Sequence, residues 1–208
     1  MLRLLLVRHG ETDWNKSLRY QGQTDTPLNV TGMRQAQCIS QRLEKEPILA
    51  VYSSDLKRAV QTAEAIATKL NVAVITSPDL RELDFGEFEG LTFGEIQQRY
   101  PDSHRRWTSQ IVDVPPPGGE SLKQLARRVA RLVTRIKREH PEGTVAVVGH
   151  GGSIRAMVCI LLEIDLKHWW QIRTDSTSLT IFDVYPEGAV LSLLNDTSHC
   201  EGVIFHLL

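Results

Sequence analysis

Cysteine is scarce: Cys38, Cys159 and Cys200 are the only three in 208 residues, and no two of them form a CxxC pair. That leaves no zinc-type spacing and no disulfide framework, and a reducing, cytoplasmic setting is expected. An excess of one charge is also lacking. Twenty-four basic against 25 acidic residues give a formal charge of -1, so no global field draws the chain to nucleic acid or to an anionic membrane. Long apolar runs are missing too. The first, Leu4 to Val7, stops at Arg8 and His9, which is too short for a signal peptide or a membrane span. HExxH, paired aspartates and Cys-His clusters are absent, as is GxGxxG, so neither a metal nor a dinucleotide cofactor is expected.

What is present fits a single domain over residues 1–208 whose 41% apolar content can enclose a core without staples. Leu4–Val7, Leu49–Tyr52, Val72–Ile75 and Val145–Val148 read as strands buried on both faces. Leu179–Val184 and Val190–Leu194 read as later strands joined by a turn at Pro186-Glu187-Gly188. Helical stripes run through Leu56 to Leu70, Leu122 to Ile136 and Ile154 to Leu162. Thr31 is placed as the cap of a helix reaching about Leu43, and Thr92 with Glu95 has capping-box spacing for a segment running to about Ile111. The alternation of strands and helices predicts an α/β fold, a three-layer α/β/α sandwich with a mostly parallel central sheet. The segment from about 84 to 120 is expected to form a small helical cap.

In open sheets of this kind ligands bind beyond the carboxyl ends of the strands. Arg8-His9-Gly10-Glu11-Thr12 follows the first strand. Ser53-Ser54-Asp55, with Arg58 a turn later, follows the second, and Gly149-His150-Gly151-Gly152-Ser153 opens the helix after the fourth. Two histidines and two arginines at one rim would repel each other unless they share an anion, and arginine's bidentate geometry suits phosphate. Helix starts beside Asp55 and Gly151 are expected to add backbone donors. Arg127, Arg128, Arg131, Arg135 and Arg138 fall mostly off the apolar stripe of their helix and read as a solvated face.

The run Leu5-Leu6-Val7-Arg8-His9-Gly10-Glu11-Thr12 with Asn15 resembles the signature of the histidine phosphatase superfamily, the phosphoglycerate-mutase-like group. Thr26-Pro27-Leu28, Thr31-Gly32, Ser53-Ser54-Asp55-Leu56 with Arg58, Leu80-Arg81-Glu82 and Val148-Gly149-His150-Gly151 extend the resemblance over nearly the whole chain. It implies a metal-independent phosphatase that passes phosphate through His9. Arg8, Arg58 and His150 would stabilise the phosphoryl oxygens, and Glu82 would act as general acid. Asn15, Gln21 and Gly151 would bind substrate, and Glu11 would orient the loop.

Gly152 stands where mutases of this group have asparagine, and the stretch from Glu82 to Ser121 is short for their lid, so hydrolysis is favoured over mutase chemistry. Leu83 to Gly90 and Pro117 to Ser121 are similar to members acting on α-ribazole phosphate in cobalamin synthesis and to broad-specificity relatives. The expected partner is a small phosphorylated metabolite, with no nucleic acid and no membrane, the chain acting as monomer or homodimer. A cofactor-dependent phosphoglycerate mutase and a non-catalytic phospholigand binder are the alternatives.

Overall fold

The structure is a computed structural model that describes residues 1–109 and 112–200. In chain order, β1 (Leu2–Arg8), α1 (Asp13–Lys16), α2 (Val30–Leu43), β2 (Ile48–Ser53), α3 (Lys57–Leu70) and β3 (Val74–Thr76) are followed by α4 (Phe93–Arg99), α5 (Pro101–Thr108) and α6 (Leu122–Glu139). β4 (Gly143–Gly149), α7 (Gly151–Leu161), β5 (Leu179–Tyr185) and β6 (Gly188–Asp196) complete the regular elements. The strands form one sheet in the order β3-β2-β4-β1-β5-β6. β1, β2, β3 and β4 pair in parallel, whereas β5 runs antiparallel to β1 and β6 antiparallel to β5.

β1 and β4 are central strands covered on both sides, which is why they read as near-continuous apolar runs. Successive side chains go to opposite faces. Leu4, Leu6, Val145 and Val147 join a core with α6 and α7. Leu5, Val7, Ala146 and Val148 join a second core with α2 and α3. The chain thus leaves β1 toward one face and β4 toward the other, opening a crevice at the carboxyl ends of these two neighbours.

Several sequence expectations shift in the structure. The cap of α2 is Asn29, not Thr31: Asn29 is extended, and its side chain accepts from Gly32 N at 2.8 Å, which puts Thr31 inside the first turn. The third strand is only Val74–Thr76 and is half-exposed, because it lies at the sheet edge, while Leu49 on β2 points to solvent. The segment from Thr92 is two helices. Its capping box forms as expected, but Tyr100 leaves the helical region ahead of Pro101, whose ring disfavours helical geometry in the preceding residue. The expected end at Ile111 lies outside the described residues.

Residues 85 to 107 are tied to the loop after α1. Tyr20 N donates to Leu91 O and Gly90 N to Tyr20 O, and the rings of Tyr20, Phe85 and Trp107 meet edge to face.

Candidate active site

The crevice holds a cavity of about 470 Å³, within the range of small-ligand sites. Seven of the eight residues expected to act on or bind the substrate line it: Arg8, His9, Asn15, Gln21, Arg58, Glu82 and Gly151. His150 does not. It is fully buried beside His9, with ring centroids 5.0 Å apart.

His9 leaves the end of β1 with its backbone N–H on Gly149 O of β4. Its Nδ1 lies 2.7 Å from Gly10 O. A carbonyl only accepts, so Nδ1 carries the proton and the lone pair is left on Nε2. Burial, then the charges of Arg58 and Arg8, hold the imidazole well below its usual pKa of 6.5 and keep it neutral. Gly10 allows this packing because a Cβ there would press into the backbone of Gly32 on α2.

Arg58, on the first turn of α3, is 0% exposed. Its Nη1 donates to Thr24 O at 2.7 Å and its Nη2 to Gly22 O at 2.6 Å, while Nε donates to Nδ1 of His150 at 3.2 Å. The accepting loop is itself anchored by the Glu89 carboxylate, which takes the N–H groups of Gln23 and Thr24. Because guanidinium only donates, His150 Nδ1 must be the bare nitrogen, and its proton sits on Nε2, which is buried without a partner among the described residues. Burial first, and then Arg58, keep this imidazole well below 6.5 too. His150 is therefore a neutral donor beside His9 instead of the cation expected from the sequence.

Arg8 donates through Nη1 to Thr174 O at 2.6 Å, and its Nε is buried without a partner among the described residues. Burial pulls both Arg8 and Arg58 down to about 10, still charged at neutral pH. Asn15 Oδ1 accepts from Thr12 N, and Gln21 Oε1 from the hydroxyls of Thr12 and Thr26, so the amide carbonyls are occupied by the loop. Glu11 is buried behind the cavity, accepting from Asn29 Nδ2 and tying the signature loop to α2.

Glu82 lies against the start of α7, where Gly152 N donates to Oε1 at 2.9 Å and to Oε2 at 3.1 Å. A Cβ at Gly152 would collide with that carboxylate, so the glycine that departs from the mutase pattern leaves room for Glu82, whose Oε1 also accepts from Leu83 N at 2.8 Å. At the other helix start, Lys57 N is taken by Asp25 at 2.7 Å, and Asp55 pairs with Arg81.

Arg155 and Thr174 were missed from the sequence. Both line the cavity. Arg155 stacks on Trp169, its guanidinium carbon 5.5 Å from a ring centroid, with Nε buried and without a partner among the described residues. The Thr174 hydroxyl is likewise buried without a partner among the described residues. The signal for Arg155 was its position four residues after Gly151, one helical turn along the same face; Thr174 lies in a loop with no such marker. Arg128, read as solvated, is buried and bonded across to residues 79–82 and Glu120. The same cavity is also lined by the aromatic side chains of Tyr20, Phe85, Phe93 and Trp169. No cluster of three or more His, Cys, Asp or Glu suited to a metal occurs among the described residues, and no helix there is long and apolar enough to cross a membrane.

Known proteins resemble this chain in sequence and in fold. Phosphoserine phosphatase 1 of Hydrogenobacter thermophilus is 37% identical over 199 residues, covering 96% of this chain and 94% of the relative. The metal-independent phosphoserine phosphatase of Arabidopsis thaliana is 37% identical over 206 residues, covering 97% and 84%. The crystal structure of the α-ribazole phosphatase of Shigella flexneri superposes with a TM-score of 0.87 at 28% identity, covering 93% of this chain and 96% of that one. The family profile described as histidine phosphatase superfamily (branch 1) matches residues 4–197. The chain belongs to that superfamily and is a phosphatase.

Proposed function

We propose that the protein hydrolyses a small phosphomonoester in two displacements through a phosphohistidine on His9. The observation that carries this reading is the fixed tautomer of His9, a neutral imidazole with Nε2 unprotonated between two buried arginines. Nε2 attacks phosphorus and the ester P–O bond breaks. Glu82 gives its proton to the departing alkoxide. Water then attacks phosphorus, its proton returns to Glu82, and the P–N bond breaks to release inorganic phosphate and restore His9. Arg8, Arg58 and the Nε2–H of His150 stabilise charge on the phosphoryl oxygens, aided by Asn15, Gln21 and the backbone near Gly151.

Residues of about 84–120 serve as a cap whose aromatic side chains meet the non-phosphate part of the substrate. Those side chains favour an ester with a flat, largely apolar body, such as α-ribazole 5′-phosphate. Arg155 favours a second reading, a phosphorylated acid such as phosphoserine, because its Nε is buried without a partner among the described residues and it lines the same cavity as Thr174, which suits an additional anionic group. The complete set of Arg8, His9, Arg58, Glu82 and His150 weighs against a non-catalytic binder, and the Glu82–Gly152 contact weighs against a mutase. The test is to rank phosphorylated metabolites, α-ribazole 5′-phosphate and phosphoserine among them, by kcat/KM. Absence of phosphate release from every ester, p-nitrophenyl phosphate included, would refute the hydrolytic reading.

A further inference from the structure

Arg128 lies on α6 and its side chain reaches away from solvent into the segment that carries Glu82. Its Nη1 donates to Asp79 O at 2.9 Å and to Arg81 O at 2.6 Å, and its Nη2 to Glu82 O at 2.7 Å. Nε donates to Glu120 Oε2 at 3.1 Å, and Nη2 also pairs closely with Glu120 Oε1. Five N–H groups thus meet five acceptors, the full capacity of a guanidinium. Glu120 closes the arrangement: its carboxylate accepts from Asp84 N at 3.1 Å, and its own N–H donates to Asp84 O at 3.0 Å.

The backbone from Asp79 to Asp84 contains no regular element beyond one short turn, Pro78–Leu80. Arg131 also bonds Asp79 Oδ1 from α6 at 2.7 Å, and Leu80 and Leu83 pack in the core with that helix, but Arg128 bonds directly to the backbone of Glu82. The Glu82 carboxylate is held in turn by Gly152 N, at the start of α7 on the same face of the sheet. An acid must lie within hydrogen-bond reach of the leaving oxygen to assist it, so small displacements of this segment matter.

We propose that Arg128, locked by Glu120, is a positioning residue that sets where Glu82 delivers its proton. The proposal rests on Glu82 being the general acid. Its signature is dependence on the leaving group. A p-nitrophenolate departs without a proton, whereas phenolate and alkoxides need one increasingly.

The experiment measures kcat/KM over a series of aryl and alkyl phosphates for wild type, Arg128→Lys, Glu120→Gln and Glu82→Gln, with melting temperature as a control on folding. Lysine keeps the charge but cannot reach five acceptors. Arg128→Lys is expected to steepen the dependence in the direction of Glu82→Gln, costing about tenfold more on phenyl phosphate than on p-nitrophenyl phosphate. Glu120→Gln should steepen it less. Steepening in Glu82→Gln with a uniform loss, or none, in Arg128→Lys would overturn the proposal and leave the role of Glu82 standing. If Arg128→Lys does not fold, an unchanged slope in Glu120→Gln overturns it instead. No steepening in Glu82→Gln would remove the acid itself, and the positioning role with it.

Discussion

Arg58 donates its Nε hydrogen to Nδ1 of His150 at 3.2 Å, and this one bond decides the protonation of the second imidazole. With Nδ1 occupied as an acceptor, the proton resides on Nε2, buried and without a partner among the described residues. The arginine thus has two roles: it supplies positive charge, and it prepares a neutral donor beside His9.

Arg58→Ala should therefore cost more than a charge. It removes donors from Gly22 O and Thr24 O as well as from His150, and unsatisfied buried groups cost about 1–3 kcal/mol each. A clear fall in melting temperature is expected, together with a loss of kcat of about 10²-fold or more. Arg58→Lys should recover part of the stability and little of the activity. Full activity in Arg58→Ala would contradict the arrangement.

The pH dependence follows from the two histidines. Both are held well below 6.5 by burial first and by the neighbouring arginines, while in the unfolded chain they titrate near about 6.5. Below that value the unfolded state binds more protons than the folded one, so stability is greatest above about pH 6.5 and declines as pH falls. The free enzyme stays competent under the same conditions, because His9 remains unprotonated. The acid limb of kcat/KM should consequently lie below 6.5, and a limb above that value would show that His9 is not shielded as described. Thermal melts across pH check the stability half, with His9→Asn and His150→Asn each flattening the decline.

Arg155→Met should separate the two substrate readings. Charge-assisted hydrogen bonds contribute about 1.5–3 kcal/mol, so KM for phosphoserine should rise about tenfold or more, and by less for phosphoethanolamine, which lacks the carboxylate. Equal changes for both would assign Arg155 to the phosphoryl group or to packing against Trp169.

Gly152→Ala tests the contact with the acid. A Cβ there collides with the Glu82 carboxylate, so alkyl-phosphate hydrolysis should fall about tenfold or more, within the range assigned to general acids, with a smaller loss on p-nitrophenyl phosphate. Assayed with 3-phosphoglycerate, wild type should form no 2-isomer. Activity of the wild type should also survive a chelator, measured as phosphate release with and without EDTA.

The central strands and the residues that follow them were legible because chemistry and fold share one short signal: β1 and β4 are buried on both faces, and the polar residues after them stand out sharply. Edge elements were not so clear. β3 lies at the rim, where only part of each side chain is covered, so its apolar pattern is weak, and Pro101 splits a stripe that reads continuously. Arg128 was misread because helical position alone does not show that the carbonyls of residues 79–82 wait above it. His150 was placed in the right neighbourhood with the wrong charge, since the bond from Arg58 arises only from tertiary packing.

The most direct measurement is rapid quenching of the wild-type protein during turnover of a ³²P-labelled ester, followed by mapping of the label. The account predicts an acid-labile, base-stable phosphoryl group on the peptide containing His9, formed and lost at rates that sustain kcat and absent from His9→Ala. Turnover without any such adduct, or undiminished turnover by His9→Ala, would contradict it.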